Sequence, residues 1–364
     1  MRPFLYAQGN QFCSFRSKRF KVAAPKIMNQ RIVMSFSVSR LVARLTCLLL
    51  LVALATLSGC QQHSKVTVLK FAHSLPTDHP VHQAIMFMAK RVDELSHGTM
   101  RVDVYPGGQL GSEREVIELL QIGSLAMAKV SSSPLEGFIP EMKVFSMPFI
   151  FRDSTHYWKV LNSDLGKKLL LAGENVRLRG LGYYDAGARS FYTVKKPIYK
   201  PEDLSGLKIR VQNSNTAIQL IQALGGSATP IAFGELYTAL DQGVVDGAEN
   251  NPPSVYTSRH NEIAKYYTLD KHTYVPDIVL ISTYVWKGLS EQQRQWLQQA
   301  MDESVAVERE LWKKSTQDSL KKIEESGVKI IYPDRQPFAD KVVRMRESYK
   351  GTPAYDLMKQ IQAM

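Results

Sequence analysis

The chain has 364 residues, 44% hydrophobic and 22% charged, with a formal net charge of +12 at pH 7. This length is enough for two compact units, since domains usually hold about 100–200 residues. Residues 1–59 hold nine basic residues and no acidic residue, so the remainder carries only +3. No basic cluster interleaved with aromatic residues remains there, which excludes the electrostatic footprint of a nucleic-acid-binding protein.

The first recognisable element is a leader with the features of a signal peptide. Arg40 and Arg44 precede an apolar segment, Leu45–Leu57, that is too short to span a membrane and is typical of a signal-peptide core. The segment runs into Leu57-Ser58-Gly59-Cys60, which matches a lipobox. Such leaders are cut before the cysteine, which is then acylated, so we expect Cys60 to anchor the mature chain to a lipid bilayer. The alternative is cleavage nearby with Cys60 unmodified.

The leader also bears on the start site and on thiol chemistry. It is longer than an ordinary signal peptide before its apolar core, so Met28 or Met34 is an alternative start. Cys13 and Cys47 would leave with the leader, and Cys60 would be acylated. The mature chain would then have no disulfide, no catalytic thiol and no thiolate metal ligand.

The segment after residue 65 alternates between strand and helix. Val66–Ala72 alternates as a strand, and Pro80–Ser96 places apolar residues at helical spacing. Met100–Tyr105 is a second strand. Ser112–Glu115 forms a capping box that opens a helix to Ile122. This order predicts a parallel α/β layer.

The rest of the chain continues the alternation and then changes to one long helix. Further strands are predicted at Val176–Tyr184, Leu207–Val211, Ala228–Ile231 and Val244–Ala248, and helices near Asn215–Leu224 and Gly234–Gln242. Ser290–Gln293 forms a second capping box, which starts a helix to about Ser326. At 1.5 Å per residue that helix would span about 55 Å. It must therefore cross between two lobes or break near Val305.

Arg210 is the first candidate for a binding residue. It closes a predicted strand after a polar loop, and ligands of open α/β sheets bind beyond the carboxyl ends of strands. Its guanidinium group is always charged and presents paired donors that suit a carboxylate. From the position alone, a solvated arginine in a surface ion pair remains the alternative.

Three motifs along one stretch of the chain favour a ligand-binding role for Arg210 over a surface ion pair. They are Gly206–Arg210 (GLKIR), Pro230–Leu240 (PIAFGELYTAL) and Val245–Asn250 (VDGAEN). Together they resemble the ligand-binding half of the solute-binding proteins of TRAP transporters (tripartite ATP-independent periplasmic transporters). The resemblance extends from about residue 66 to residue 331. It implies a periplasmic receptor that is not an enzyme, needs no cofactor and delivers an organic acid to a TRAP membrane permease.

The resemblance also implies a fold. It is an α/β, two-lobed periplasmic-binding-protein fold with a ligand cleft between the lobes and a long helix spanning both. Lobe one would hold residues 66–187 and 276–315. Lobe two would hold residues 188–275 and 316–364.

The same resemblance assigns roles to residues of lobe two. Arg210 would form a two-pronged salt bridge with the ligand carboxylate, and Arg189 resembles the second arginine of the family, with one extra residue between the two here. Asn250 matches the carboxylate-binding asparagine and follows Glu249 as in the usual pair. Asn251 is an additional amide, which favours a hydroxyl-rich ligand.

Other candidates have weaker support. Phe233 stands where the family places an aromatic residue that stacks on the ligand, although such a residue is more often part of a core. His73 would face the cleft from the first loop, and His272 would do so on the return to lobe one. Ser131, with Ser132 and Ser133, would offer hydroxyl groups from lobe one, and a polar turn is the alternative.

Two other classes of function remain open at this point. His73, Asp78, His79 and His82 lie within ten residues, and imidazole and carboxylate groups suit zinc, so a zinc-capturing lipoprotein is one alternative. The prolines within this stretch oppose a metal site. A secreted lipid-anchored hydrolase is the other, but the sequence lacks a nucleophile elbow and a zinc-protease helix motif. Carboxylates such as Glu113 are explained by helix capping.

The ligand is the least determined property. Two arginines and Asn250 require a carboxylate but do not fix the carbon skeleton. Four-carbon dicarboxylates are the founding substrates of the family that the motifs resemble. The polar residues other than Arg210, Arg189 and Asn250 favour a sugar acid such as a uronate.

Overall fold

The structure is a computed structural model that describes residues 66–364, together with Ala43 and Thr46. In this described part, no helix is long and apolar enough to cross a membrane. Residues 66–364 contain eleven strands: β1 (Thr67–Ala72), β2 (Met100–Tyr105), β3 (Met127–Ser131), β4 (Leu178–Tyr184), β5 (Ala188–Thr193), β6 (Lys208–Val211), β7 (Ser227–Pro230), β8 (Gly247–Asn250), β9 (Tyr266–Tyr274), β10 (Asp277–Ser282) and β11 (Lys329–Ile331).

Fourteen α-helices accompany these strands within residues 66–364: α1 (Pro80–Leu95), α2 (Glu113–Gln121), α3 (Ser132–Leu135), α4 (Ser154–Leu161), α5 (Asp164–Leu171), α6 (Asn215–Leu224), α7 (Leu236–Asp241), α8 (Pro252–Thr257), α9 (His260–Ile263), α10 (Thr283–Gly288), α11 (Glu291–Glu325), α12 (Gln336–Lys341), α13 (Val343–Glu347) and α14 (Pro353–Ala363). Shorter 3-10 turns lie at Pro140–Ser146, Glu174–Val176, Pro201–Leu204 and Phe233–Glu235.

The strands form two sheets, and each sheet is the centre of one lobe. The first sheet has the order β2-β1-β3-β10-β4, and the second has the order β11-β9-β5-β8-β6-β7. Separate clusters of buried apolar side chains belong to each sheet, built on residues such as Ile117 and Met88 in lobe one and Ile209 and Leu240 in lobe two. Two independently packed cores explain how the lobes can enclose a cleft.

Four segments join the lobes. The chain passes from β4 to β5, returns from β9 to β10, runs along α11 and passes from α13 to α14. At the first crossing Gly187 has a φ of 53°, and a Cβ there would lie 3.2 Å from Trp312 Nε1. Only glycine adopts this conformation at little cost and leaves room for the indole. The crossing thus requires glycine for both backbone and packing reasons.

The long helix α11 is continuous over 35 residues, so of the two alternatives it crosses between the lobes and does not break near Val305. Its capping box at Ser290 is present as predicted. Met301 is buried in a core cluster of lobe one and Ile323 in one of lobe two, and the helix packs against both α1 and α8. The predicted helix that spans both lobes is confirmed.

Most predicted elements match the structure, and one strand is displaced. The strand expected at Val244–Ala248 lies at Gly247–Asn250 instead. Gly243 has a φ of 68° and turns the chain, and the amide of Val244 donates to Ala239 O at the end of α7. Residues directly after that turn are therefore still part of the helix end, and the β-ladder with β5 begins later.

The lobe boundaries remain our proposal, with one change at the carboxyl end. We expected residues 316–364 in lobe two. However, Ala354, Met358 and Ile361 of α14 are buried in a core cluster of lobe one, and His156 Nε2 lies 2.9 Å from Ile361 O. The apolar face of α14 matches a lobe-one surface, which the sequence order did not reveal.

Candidate functional site

A polar cleft lies between the two lobes. It contains a cavity of about 350 Å³ and a smaller one of about 30 Å³, which share Ser74, Glu113, Gln212 and Phe233 in their walls. The larger cavity is lined by Arg210, and the smaller one by lobe-two residues that include Arg189, Asn250 and Asn251. The cleft therefore brings together most of the residues predicted from the motifs.

Arg210 enters the larger cavity from the end of β6. It is 2% exposed, its Nε donates to Ile231 O at 2.9 Å, and its guanidinium carbon lies 5.8 Å from the centre of the Phe233 ring. No carboxylate of the described residues forms an ion pair with it, and one terminal nitrogen is buried without a partner. Burial lowers the pKa of Arg210. A buried cation without a counter-ion is favourable only if an anion completes the site.

Asn250 lies on the strand next to Arg210, because β8 pairs with β6 in parallel; Ala248 is opposite Arg210, and Asn250 is two residues further along. Its Oδ1 accepts from Arg189 Nη1 at 2.9 Å and from the amide of Asn251 at 3.0 Å. These two donors fix the orientation of the side-chain amide. Nδ2 has no acceptor among the described residues, so it can donate to a ligand carboxylate. The sheet register thus brings two residues that are forty positions apart onto neighbouring strands.

Arg189 is engaged by the protein itself. Its Nη2 donates to Glu249 Oε1 at 2.8 Å and to Glu249 O at 2.7 Å, and its Nε forms a second bond to the same carboxylate. With the bond to Asn250, four of its five donors are used. Arg189 lines the smaller cavity, but a direct two-pronged bond to a ligand would require it to leave Glu249. A direct ligand contact by Arg189 remains a proposal.

His272 lies behind Glu249 and does not line either cavity of the cleft. It is fully buried, stacks on Phe191 at 4.4 Å, and bonds to Asp270 Oδ2 at 2.8 Å. Burial alone would lower its pKa, but Asp270 and Glu249 outweigh burial and raise the pKa of His272 to about 9. For the carboxyl group of Glu249, burial acts in the opposite direction and would raise the pKa. Arg189 and His272 outweigh burial and lower the pKa of Glu249 to about 2. His272 supports the charged network and is set back from the cleft.

Asn251 has a structural task that the sequence did not reveal. Its Oδ1 accepts from the amide of Ser254 at 2.9 Å and so caps α8, and its Nδ2 donates to Ala186 O at 3.0 Å. Asn251 lines the smaller cavity, but both ends of its amide are bonded within the protein. One N–H of the Asn251 amide is not used by these bonds, so the predicted contact with a hydroxyl-rich ligand stays a prediction.

His73 does not face the cavities as expected; the next residue, Ser74, does. His73 Nδ1 accepts from the amide of Leu75 at 3.2 Å, and its Nε2 lies 3.0 Å from His82 Nδ1. Burial, Lys129 and His82 lower the pKa of His73 to about 3. The imidazole is thus neutral and fixes the first loop.

His79 is also used within the protein. Its Nδ1 accepts from the amide of Val81 and caps α1, which leaves the proton of the neutral ring on Nε2, 3.2 Å from Ser254 Oγ in lobe two. Burial lowers its pKa well below the ordinary value. In the part of the chain that the structure describes, no group of three His, Cys, Asp or Glu residues could hold a metal ion. The histidine cluster therefore gives the zinc alternative no support.

The wall contributed by lobe one contains three charged residues that were not predicted. Lys129 Nζ lies 3.0 Å from Asp277 Oδ2 and 3.5 Å from Glu113 Oε1. Burial would lower the pKa of Lys129, but the two carboxylates outweigh burial and raise it. Burial and the nearby Glu113 raise the pKa of Asp277. A lysine within the otherwise apolar strand β3 was the sequence signal for this wall.

The serines and the aromatic residue occupy different places around the cleft. Ser131 lines the smaller cavity, and its amide donates to Glu113 Oε1 at 2.9 Å. Ser132 and Ser133 do not line these two cavities; Ser133 Oγ lies 2.7 Å from Ser146 Oγ. Phe233 lines both cavities next to Arg210, in a 3-10 turn that precedes α7. Ser131 and Phe233 therefore remain candidates for ligand contact.

Comparison with known proteins identifies the family. A family model described as "Bacterial extracellular solute-binding protein, family 7" matches residues 71–351. The chain belongs to this family. It is 32% identical over 261 residues to the C4-dicarboxylate-binding periplasmic protein DctP of Rhodobacter capsulatus, covering 71% of this chain and 78% of that protein.

Solved structures of TRAP periplasmic solute-binding proteins have the same fold. One from Bradyrhizobium sp. BTAi1, in complex with α/β-D-galacturonate, is 42% identical with a TM-score of 0.79, covering 81% of this chain and 99% of that chain. One from Pseudomonas putida F1, with bound D-glucuronate, is 39% identical with a TM-score of 0.79, covering 82% and 97%. The predicted two-lobed fold and the predicted family are confirmed. Proteins of this family are periplasmic receptors that work with a TRAP permease.

Proposed function

We propose that this solute-binding protein captures a sugar acid, with a uronate favoured, and delivers it to a TRAP permease. The observation that carries the proposal is Arg210, a buried guanidinium group that lines the cavity without a counter-ion among the described residues. Asn250 Nδ2 is unbonded beside it. Together they provide the donors that one carboxylate needs.

The choice of a sugar acid over a four-carbon dicarboxylate has two supports. The relatives at 42% and 39% identity hold D-galacturonate and D-glucuronate, whereas the dicarboxylate-binding relative is 32% identical. The lobe-one wall holds two carboxylates, Glu113 and Asp277, and these accept hydrogen bonds from hydroxyl groups. The four-carbon dicarboxylate remains the alternative within the family.

A receptor without enzymatic activity is part of the proposal. The buried polar groups of the cleft are tied to each other as ion pairs and helix caps, as in Arg189 with Glu249 and Asn251 with Ser254. The pair that most resembles a nucleophile and its base is Ser254 with His79, and both line the smaller cavity. However, His79 Nδ1 accepts from the amide of Val81, so Nε2 carries the ring proton and cannot take a proton from Ser254. The alternative of a secreted hydrolase therefore has no site among the residues that the structure describes.

The test is a thermal-shift screen over uronates, aldonates, keto acids and four-carbon dicarboxylates. A ligand at about a thousand times its dissociation constant adds roughly 4 kcal/mol, which in a protein of this size raises the melting temperature by several degrees. We expect D-galacturonate or D-glucuronate to raise it without being consumed. Zinc with and without a chelator is the control. A shift with zinc alone, or turnover of a ligand, would contradict the proposal.

We also propose that the mature protein is a lipoprotein anchored through Cys60, which lies outside the described residues. The support is the sequence Leu57–Cys60 after an apolar core. Mass spectrometry of the mature protein from a bacterial membrane fraction should show an acylated amino-terminal Cys60. Cys60→Ala should abolish acylation, and Cys47→Ala, in the same leader, should leave it intact. An unmodified amino terminus on the parent protein would refute the anchor.

A further inference from the structure

Three charged side chains of lobe one form one wall of the ligand cleft. Lys129 is 2% exposed and Asp277 5%, and Glu113 is the first residue of α2. Lys129 and Asp277 point to the same face because β10 runs antiparallel to β3, with Asp277 opposite Ser131. The amide of Ser131 holds Glu113 in place at 2.9 Å. The wall is therefore built from strands β3 and β10 and from the first residue of helix α2.

Each carboxylate of this wall keeps an oxygen for a ligand. Lys129 bonds to Asp277 Oδ2 and Glu113 Oε1. Asp277 Oδ1 and Glu113 Oε2 have no hydrogen-bond partner among the described residues, and both residues line the smaller cavity. The wall thus offers two charged acceptors and a single remaining N–H of Lys129.

The lobe-one wall and the guanidinium group of Arg210 carry opposite charges, and Arg114, Glu115 and Glu235 also line the larger cavity. Two carboxylates against one ammonium group leave the lobe-one wall with one negative charge. On the lobe-two side, Arg189 is balanced by Glu249, whereas Arg210 has no ion-pair partner. A ligand with one carboxylate and several hydroxyl groups fits both sides, because its carboxylate faces Arg210 and its hydroxyls donate to Glu113 and Asp277.

We propose that this wall, formed by Glu113, Lys129 and Asp277, is a charge filter that restricts the receptor to sugar acids with a single carboxylate and excludes sugar diacids. A second carboxylate has no proton to donate and would face two carboxylates in a buried site. Like charges repel strongly where water is excluded. Lys129 relieves only part of the repulsion, because its single positive charge is already shared between Glu113 and Asp277. The proposal rests on the proposed function of the cleft.

The experiment compares two ligands that differ only at the far end. D-galactonate and galactarate are open-chain six-carbon acids with the same hydroxyl groups on the four internal carbons, and galactarate carries a carboxylate where galactonate carries a hydroxymethyl group. By calorimetry we expect the parent protein to bind galactonate at least about a hundredfold more tightly than galactarate. In Glu113→Gln or Asp277→Asn the ratio of the galactarate Kd to the galactonate Kd should fall about tenfold or more, since one repelling charge is gone.

Glu118→Gln is the matched control, because it removes the same charge from the same helix at an exposed position outside the cavities. Its ratio should equal that of the parent. Asp277→Asn disturbs a buried ion pair and could prevent folding, so Glu113→Gln, with a side chain 13% exposed, is the safer variant. Melting curves without ligand identify any variant that is not folded.

The outcomes separate the filter from the function on which it rests. If no acid with one carboxylate, uronate or aldonate, binds the parent protein, the proposed function fails and the filter fails with it. If galactonate binds but galactarate binds within tenfold, only the filter is wrong. The filter is also wrong if the folded Glu113→Gln variant and the folded Asp277→Asn variant both keep the ratio of the parent.

Discussion

Arg210 and Arg189 lie on neighbouring sides of the same cleft, yet they differ in what they bind. Arg189 gives four of its donors to Glu249 and Asn250, whereas Arg210 gives one to Ile231 O and meets no carboxylate among the described residues. Both are buried. We therefore propose that Arg210, which no carboxylate of the described residues neutralises, is the arginine left to bind a ligand carboxylate.

The two lobes also differ in the hydrogen-bonding groups that they present to the cleft. Lobe two presents donors to the cleft through Arg210 and Asn250, and lobe one presents acceptors through Glu113 and Asp277. Direct bonds also join the lobes: Asn251 Nδ2 donates to Ala186 O, and His79 contacts Ser254. A bound ligand would add further links between the lobes, which is how ligand binding favours a closed receptor.

The largest effect on affinity is expected at Arg210. Arg210→Lys keeps the charge but loses the forked geometry, and truncating one partner of a buried charged pair costs roughly 2–5 kcal/mol. Because each 1.4 kcal/mol is a factor of ten, binding should weaken by about thirtyfold or more. Calorimetry on the folded variant with the ligand found in the screen measures this. Binding within threefold of the parent would mean that Arg210 is not the main carboxylate clamp.

The same substitution at Arg189 should act on stability instead. Arg189→Lys breaks hydrogen bonds to a buried carboxylate, and such bonds contribute about 1.5–3 kcal/mol. We expect the free energy of unfolding without ligand to fall by about that amount, and affinity to fall less than in Arg210→Lys. Urea denaturation of both variants compares the two losses. Equal losses of stability, or a larger loss of affinity at Arg189, would remove the distinction between the two arginines.

The network behind Arg189 should also make stability depend on pH. His272 has a pKa of about 9 in the folded protein against an ordinary value of 6.5, so its contribution is fully present below pH 6.5 and is lost as the pH rises to about 9. The difference in unfolding free energy between the parent and His272→Gln should therefore be larger at pH 6.5 than at pH 9.5. Denaturant titrations at both values measure it.

His156→Gln is the control for this pH dependence. Burial lowers the pKa of His156, so this residue is neutral in both the folded and the unfolded protein across the upper part of the same window. Its effect on stability should stay constant between pH 7.5 and 9.5. If His272→Gln behaves in the same way, His272 is not charged in the folded protein.

The local sequence predicted the elements better than it predicted the contacts of the site. Capping boxes at Ser112 and Ser290 and the helical spacing after Pro80 depend on neighbours within a few residues, and all three elements form as expected. The position of α14 depends on which apolar surface is free in the folded protein. No pattern within α14 specifies that surface.

At the site, too, residues within recognisable motifs were predicted, whereas residues that meet only through the pairing of distant strands were not. Arg210 and Asn250 belong to two motifs forty residues apart, and the parallel pairing of β6 and β8 places these motifs on neighbouring strands. The lobe-one wall needs Lys129 and Asp277, which are far apart in sequence and meet only through the antiparallel pairing of β3 and β10. A charged residue in an apolar strand signals such a partner but does not identify it.

The smallest effect is expected at Asn251, and it separates a ligand contact from a helix cap. Asn251→Ala removes the cap of α8, and losing an N-cap costs about 0.5–2 kcal/mol of stability. Asn251→Ser keeps an acceptor for the amide of Ser254 and should restore most of that loss. Because both ends of the Asn251 amide are bonded within the protein, affinity should change by less than about threefold in either variant. If calorimetry shows both variants weakened tenfold or more while their unfolding free energies match that of the parent, Asn251 contacts the ligand and its role as a cap is secondary.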